Sequence, residues 1–165
     1  MPFDKIVNKA QEGVAIRYGV VHGNDTIVFI KSGTGGKYDG YQQKYLRMAE
    51  RVHAAQRGFA DYTVCFVAHS DGWEQIIRTA KKMPQTRRLL GINPSFVDDE
   101  EATDDLRALP QAEKTLVYGT QDDDFYLAAK LEAAGIPRLR IITVDGADHD
   151  FTHRLEDFIA LIDLL

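Results

Sequence analysis

The sequence predicts one α/β domain, a three-layer α/β/α sandwich built on a mostly parallel sheet. Two observations predict it. Short runs rich in β-branched and aromatic residues alternate with longer segments of helical periodicity, and no linker, repeat or low-complexity tract interrupts them. The run 62–69, Tyr-Thr-Val-Cys-Phe-Val-Ala-His, is apolar almost without a break, the pattern of a central strand covered on both faces. Strand–helix alternation requires crossover connections, and these give parallel strands. At 165 residues, 44% hydrophobic and 27% charged, the chain suits a single domain over 1–165 with a core of useful size.

Taken in order, 13–21 and 26–31 read as strands separated by the turn residues His22, Gly23, Asn24 and Asp25. Their closeness predicts an N-terminal antiparallel hairpin at the start of the sheet. A polar, glycine-rich loop follows over 32–40. Tyr45, Met48, Ala49 and Val52 recur at helical spacing, which predicts a helix over 41–56, with Gly58 beyond its end. After the central strand, Trp73, Ile76, Ile77 and Ala80 mark one face of a helix over 73–83 that Pro84 terminates. A short strand over 88–93 is followed by an acidic stretch, 98–105, read as a solvated helix or loop. Strand 114–118, a helix over 125–134 ended by Gly135, strand 139–144 and an amphipathic helix over 151–165 complete the chain.

The formal net charge of −5 and pI near 5.5 disfavour phosphate backbones and anionic lipids, so neither nucleic acid nor membrane is expected as a partner. Cys65, the single cysteine, lies inside the apolar run and reads as a small buried hydrophobe; one cysteine forms neither an intramolecular disulfide nor a cysteine metal cluster. The N-terminal Met-Pro-Phe-Asp-Lys lacks the pattern of a secretory signal, and no apolar run approaches the roughly 18 residues that span a bilayer. The expected location is the cytoplasm.

In open parallel sheets, ligands bind beyond the carboxyl ends of the strands. Three such places carry reactive residues. Ala68-His69-Ser70-Asp71-Gly72 joins the central strand to a helix, and a serine on so sharp a turn projects its hydroxyl above the sheet. The backbone N–H of Asp71, at a helix N-terminus, is then placed to face a developing oxyanion. The competing reading is that Ser70 only caps the helix. Tyr118-Gly-Thr-Gln-Asp122-Asp-Asp124 offers a carboxylate to orient a histidine: Asp122 is the first choice, with Asp124 the reserve or a helix cap. The third place is Val144-Asp-Gly-Ala-Asp-His149-Asp-Phe151. Of the other histidines, His22 falls in a turn, His53 on a helix, His153 within the last helix, and His69 adjoins the serine with its side chain directed away. The order Ser…Asp…His, each after a separate parallel strand, is that of hydrolases with a serine elbow. It points to acyl transfer in which His149 removes the Ser70 proton and Asp122 holds the imidazole.

These motifs resemble those of the α/β-hydrolases, and the resemblance runs from about Gly13 to the C-terminus. His69-Ser-Asp-Gly72 resembles the family's elbow, Gly119-x-x-Asp122 its acid loop, Gly146-Ala-Asp-His-Asp-Phe151 its histidine loop, and Ile27-Val-Phe-Ile-Lys-Ser-Gly33 the strand before its oxyanion loop. The resemblance implies that Gly33 or Thr34 gives the second oxyanion N–H, beside Asp71. Two departures stand out: Ala68 replaces the first glycine of the elbow, and Lys31-Ser-Gly-Thr34 replaces a His-Gly opening. Family members usually run longer and often carry a cap. The room for one here is 94–110, enough for a short helix, so the site is expected to be open and its substrate small or flexible, unless a partner subunit of a homodimer covers it. The resemblance thus implies hydrolysis of a small carboxylic ester or thioester through an acyl-enzyme, with no cofactor. The alternatives are transfer of the acyl group to an acceptor other than water and a catalytically silent binding or scaffold protein.

Two other motifs are set aside. Ser32-Gly-Thr-Gly-Gly-Lys37-Tyr38 lacks the first glycine of a P-loop, where Lys31 stands, and the hydroxyl residue after its lysine. Asp145, Asp148, His149 and Asp150 are rich in metal-binding atoms, but adjacent loop carboxylates seldom converge on one ion, and no metal is expected.

Overall fold

The computed structural model describes residues 5–11, 14–20, 26–31, 44, 45, 47, 48, 51, 63–96 and 99–165. Strands β3 (Thr26–Lys31), β4 (Thr63–His69), β5 (Thr86–Ile92), β6 (Glu113–Gly119) and β7 (Leu139–Val144) form a five-stranded sheet in that order, each pair parallel. A separate two-stranded sheet pairs β1 (Lys5–Gln11) with β2 (Val14–Val20), antiparallel, from Lys5 opposite Val20 to Gln11 opposite Val14.

This corrects the expected hairpin. Val14–Val20 and Thr26–Lys31 lie in different sheets, and the partner of Val14–Val20 is Lys5–Gln11. Only residues 12 and 13 separate the two paired strands, the length of a tight hairpin connection. Lys5–Gln11 has lysines, an asparagine and a glutamine among its few apolar residues, so its sequence carries no strong strand signal.

Strand periodicity divides the core of the main sheet into two layers. Val64, Phe66, Ala68, Leu89, Leu116 and Tyr118 face one side. There they meet the apolar stripes of α1 (Gly72–Ala80), α2 (Asp99–Arg107) and α3 (Tyr126–Ala133). Cys65, Val67, Leu90, Ile92 and Val117 face the other side, against the helical residues Tyr45 and Met48, α4 (Leu155–Ala160) and the C-terminal 3₁₀ turn Leu161–Leu164. Helices on both faces make the three-layer α/β/α sandwich. Trp73 is fully buried, and Gly91 makes room for it: a Cβ there would sit 2.8 Å from both the indole and Leu116 Cδ2.

Two expectations about the helices are corrected. The acidic stretch is not merely solvated: from Asp99 it forms α2, whose Ala102 and Leu106 are fully buried, and Asp105 pairs with Lys81. On the crossover from β5 to β6, α2 therefore covers the sheet. The last helix begins at Leu155 rather than at 151, and His153 lies in a turn before it. Phe151 and His153 take φ values of 55° and 63°, which no right-handed helix contains, and the Asp148 carboxylate accepts from the Thr152 N–H instead. Among the described residues, no helix is long and apolar enough to cross a membrane.

Candidate active site

Ser70 follows β4 directly, at φ 57°. That left-handed conformation is disfavoured for a residue with a Cβ and is held here by hydrogen bonds on both sides: Ser70 N–H donates to Ile92 O at 3.1 Å, and Trp73 N–H donates to Ser70 O at 3.0 Å. The chain thereby turns from strand to helix over two residues, Ser70 and Asp71, and presents Oγ above the sheet. Ala68, in the place where related elbows carry glycine, is fully buried and paired in register with Gly91. The cap reading of Ser70 does not fit, since Asp71, not Ser70, is the N-cap residue of α1. The Ser70 hydroxyl instead lies 2.9 Å from His149 Nε2.

The acid and base loops follow β6 and β7 and are built against each other. Thr120 N–H donates to Val144 O at 3.0 Å, Gln121 N–H to Ala147 O at 2.9 Å, and Gly146 N–H to Thr120 Oγ1 at 2.8 Å. Gly146 itself needs its glycine, at φ 68°. Gly119 is where the two loops touch, since a Cβ there would lie 2.3 Å from Ala147 O. Gly119→Ala is therefore expected to lower stability by about 1–3 kcal/mol, the usual range for overpacking, and to displace the His149 loop. Urea denaturation together with activity checks this; an unchanged midpoint would contradict it.

Asp122 ends in a carboxylate with two tasks. Oδ1 accepts from Asp124 N–H at 2.7 Å and so caps the 3₁₀ turn Asp123–Phe125, and Oδ2 lies 2.5 Å from His149 Nδ1. The reserve candidate, Asp124, instead accepts from Ser95 Oγ at 3.1 Å. The Asp122 side chain has no exposure, whereas that of His149 is 42% exposed, so the base meets solvent while its carboxylate does not. The hydrogen bond to Asp122 raises the His149 pKa above the ordinary imidazole value against the opposing effect of burial, and Asp150 and Asp124 add to the rise.

Ser70, His149 and Asp122, from three separate loops, thus form one hydrogen-bonded chain. Of the three residues expected to face an oxyanion, Asp71 lies beside Ser70 at the start of α1, while Gly33 and Thr34 lie outside the described residues. Beside His149 an open depression of about 550 Å³ is lined by Gln121, Asp123, Asp124, Asp148, Asp150 and Thr152.

Sequence reasoning passed over two further residues. Asn93, at the end of β5, donates from Nδ2 to Asp148 O and His149 O and accepts at Oδ1 from Gly119 N–H. His69, which sequence reasoning dismissed, is not idle: its Nε2 lies 2.8 Å from His149 O, its Nδ1 2.9 Å from Tyr45 Oη, and its ring centroid 5.1 Å from that of His149. A signal for Asn93 was present, since it directly follows a parallel strand. The His69 role carries no sequence signal, because its partner is a backbone carbonyl 80 residues away.

The sequence matches no protein-family model, and no curated protein matches it. Among solved structures, the chain is similar to an alpha-beta serine hydrolase homologue from Coxiella burnetii, at 13% identity and TM-score 0.71, covering 99% of this chain and 98% of that one. It is similar to the esterase domain of a Rhodothermus marinus protein, at 14% identity and TM-score 0.65, covering 97% and 95%. It also resembles an S-formylglutathione hydrolase from Agrobacterium tumefaciens, at 12% identity and TM-score 0.64, covering 96% and 92%. Identities this low speak to the fold, which is that of the α/β-hydrolases.

Proposed function

We propose that this chain, which has the α/β-hydrolase fold, is a serine hydrolase that cleaves a small carboxylic ester or thioester through an acyl-enzyme. The observation that carries the proposal is the chain of contacts from Ser70 Oγ through the His149 imidazole to Asp122, at 2.9 and 2.5 Å. A carboxylate only accepts, so Asp122 fixes the proton on Nδ1 and leaves the Nε2 lone pair facing the Ser70 hydroxyl. As Oγ attacks the substrate carbonyl carbon, Nε2 takes its proton, and the buried carboxylate stabilises the imidazolium. His149 returns that proton to the departing alkoxide or thiolate. Water, deprotonated by the same nitrogen, then attacks the acyl-Ser70 ester and frees the acid. In this proposal the Asp71 N–H, at the positive end of α1, and the N–H of Gly33 or Thr34 hold the tetrahedral oxyanion.

The pH profile of ester hydrolysis tests the proposal. His149 works only when neutral, so kcat/KM falls as pH drops through its pKa. Because Asp122 raises that pKa, the midpoint is expected above the ordinary value of about 6.5. Hydrolysis of 4-nitrophenyl acetate, corrected with Ser70→Ala, measures it. A profile without an ionisation in the imidazole range would contradict the assignment of His149 as base.

A further inference from the structure

We infer that Asn93 and His69 are positioning residues that together pin the peptide groups on both sides of the His149 α-carbon and so aim its imidazole at Ser70; this rests on the reading of Ser70 and His149 as nucleophile and base. A side chain leaves the backbone in a direction set by φ and ψ, and these are fixed once the peptide planes before and after the residue are fixed. Asn93 Nδ2 reaches both planes, donating to Asp148 O at 3.1 Å and to His149 O at 2.8 Å. The second lone pair of the His149 carbonyl is taken by His69 Nε2 at 2.8 Å.

The chemistry explains why these two side chains serve. Asn93 is fully buried, at φ 42°, and its amide is satisfied at every position: both N–H groups donate to the base loop, and Oδ1 accepts at 2.8 Å from Gly119 N–H, at the start of the loop that bears Asp122. One amide therefore sets the base and its carboxylate in common register. Its own backbone N–H is tied to Val117 O at 2.8 Å, and the preceding residue, Ile92, accepts from Ser70 N–H. An aspartate of the same shape would turn a carboxylate oxygen toward two carbonyls. A glutamine would be one carbon too long.

For His69, the carbonyl partner requires the proton on Nε2. The neutral ring then accepts at Nδ1, and the Tyr45 hydroxyl donates to it at 2.9 Å. Burial, with Lys44 and His149 nearby, holds the His69 pKa down to about 4 against the hydrogen bond to the His149 carbonyl and the charge of Asp150. The ring is thus a neutral, single-tautomer donor across the pH range in which His149 titrates, and it takes no part in proton transfer. Its ring packs among those of His149, Phe158 and Tyr45, with centroids at 5.1, 5.6 and 6.3 Å.

Paired substitutions at residue 69 test the inference. His69→Gln keeps an N–H donor near the position of Nε2, whereas His69→Leu keeps volume and loses the donor. A misplacement of about 1 Å costs on the order of 100-fold. His69→Leu is therefore expected to slow labelling of Ser70 by a fluorophosphonate by about 10- to 100-fold, with kcat for ester hydrolysis falling more than KM rises. His69→Gln is expected to recover about tenfold or more of that loss. In an NMR titration of the His149 ring, His69→Leu should move the pKa down toward the ordinary imidazole value as the bond to Asp122 loosens, with Asp124 and Asp150 still present; His69→Gln should not. Asn93→Asp should likewise slow labelling, but its new charge would itself raise the His149 pKa, so the titration is taken on the residue-69 pair. If Asn93→Asp does not fold, that pair decides. The inference is overturned if folded His69→Leu labels within about threefold of wild type and leaves the His149 titration unchanged. Should wild type itself resist the probe, the serine-hydrolase reading fails separately, and the titration still decides whether His69 positions His149.

Discussion

Ser70→Ala is expected to lower kcat/KM for ester hydrolysis by about 10⁵- to 10⁶-fold while leaving the protein folded. The hydroxyl contacts His149 and the N-cap of α1 is Asp71, so removing the hydroxyl should cost the fold little. The elbow is held by backbone groups that alanine retains, namely Ser70 N–H to Ile92 O and Trp73 N–H to Ser70 O. Alanine meets the same left-handed backbone as serine, so stability should shift by less than about 1 kcal/mol. Because nucleophile and base act as a unit, adding His149→Ala to Ser70→Ala should cause little further loss. Thermal denaturation and steady-state kinetics on the single and double variants check both points. A folded Ser70→Ala protein with activity within about tenfold of wild type would contradict the assignment.

Asp122→Asn is expected to cost about 10⁴-fold in kcat, and the reason lies in the two tasks of the carboxylate. Asparagine is as good an N-cap as aspartate, so its Oδ1 can keep the hydrogen bond from Asp124 N–H at the start of the 3₁₀ turn. Its NH₂ then faces His149 Nδ1 and can only donate. The imidazole must carry its proton on Nε2, where it can no longer accept from Ser70. The loss is therefore one of tautomer rather than of structure, and the variant should denature at nearly the wild-type temperature. Asp124→Asn, by contrast, touches a residue bonded to Ser95 and should stay within about tenfold of wild-type kcat. If the larger loss fell on Asp124→Asn, the assignment of the two carboxylates would be reversed.

The carboxyl edge of the sheet was legible because each of its candidates follows a strand that stands out. The apolar run before Ser70 marks β4 as central, and the glycines at 119 and 146 punctuate the loops carrying Asp122 and His149. The sequence offers Asp124 as the cap, but Asp122 both caps the turn and contacts His149, a double role that no residue type announces. Lys5–Gln11 was missed because its polar residues blur the alternation, and its pairing removed Val14–Val20 from the expected hairpin. The sequence starts the last helix four residues early because Phe151 fits an apolar stripe, although its ring is buried from a left-handed turn. Asn93 and His69 act on backbone carbonyls, and those partners are named by no residue type.

The measurement that bears most directly on the central claim is mass-spectrometric mapping of a fluorophosphonate adduct on the folded wild-type protein. The expected result is one adduct per chain on the peptide containing Ser70, formed more slowly as pH falls through the His149 pKa and absent from Ser70→Ala. A protein that stays unmodified while folded, or that carries the adduct on another residue, would contradict it.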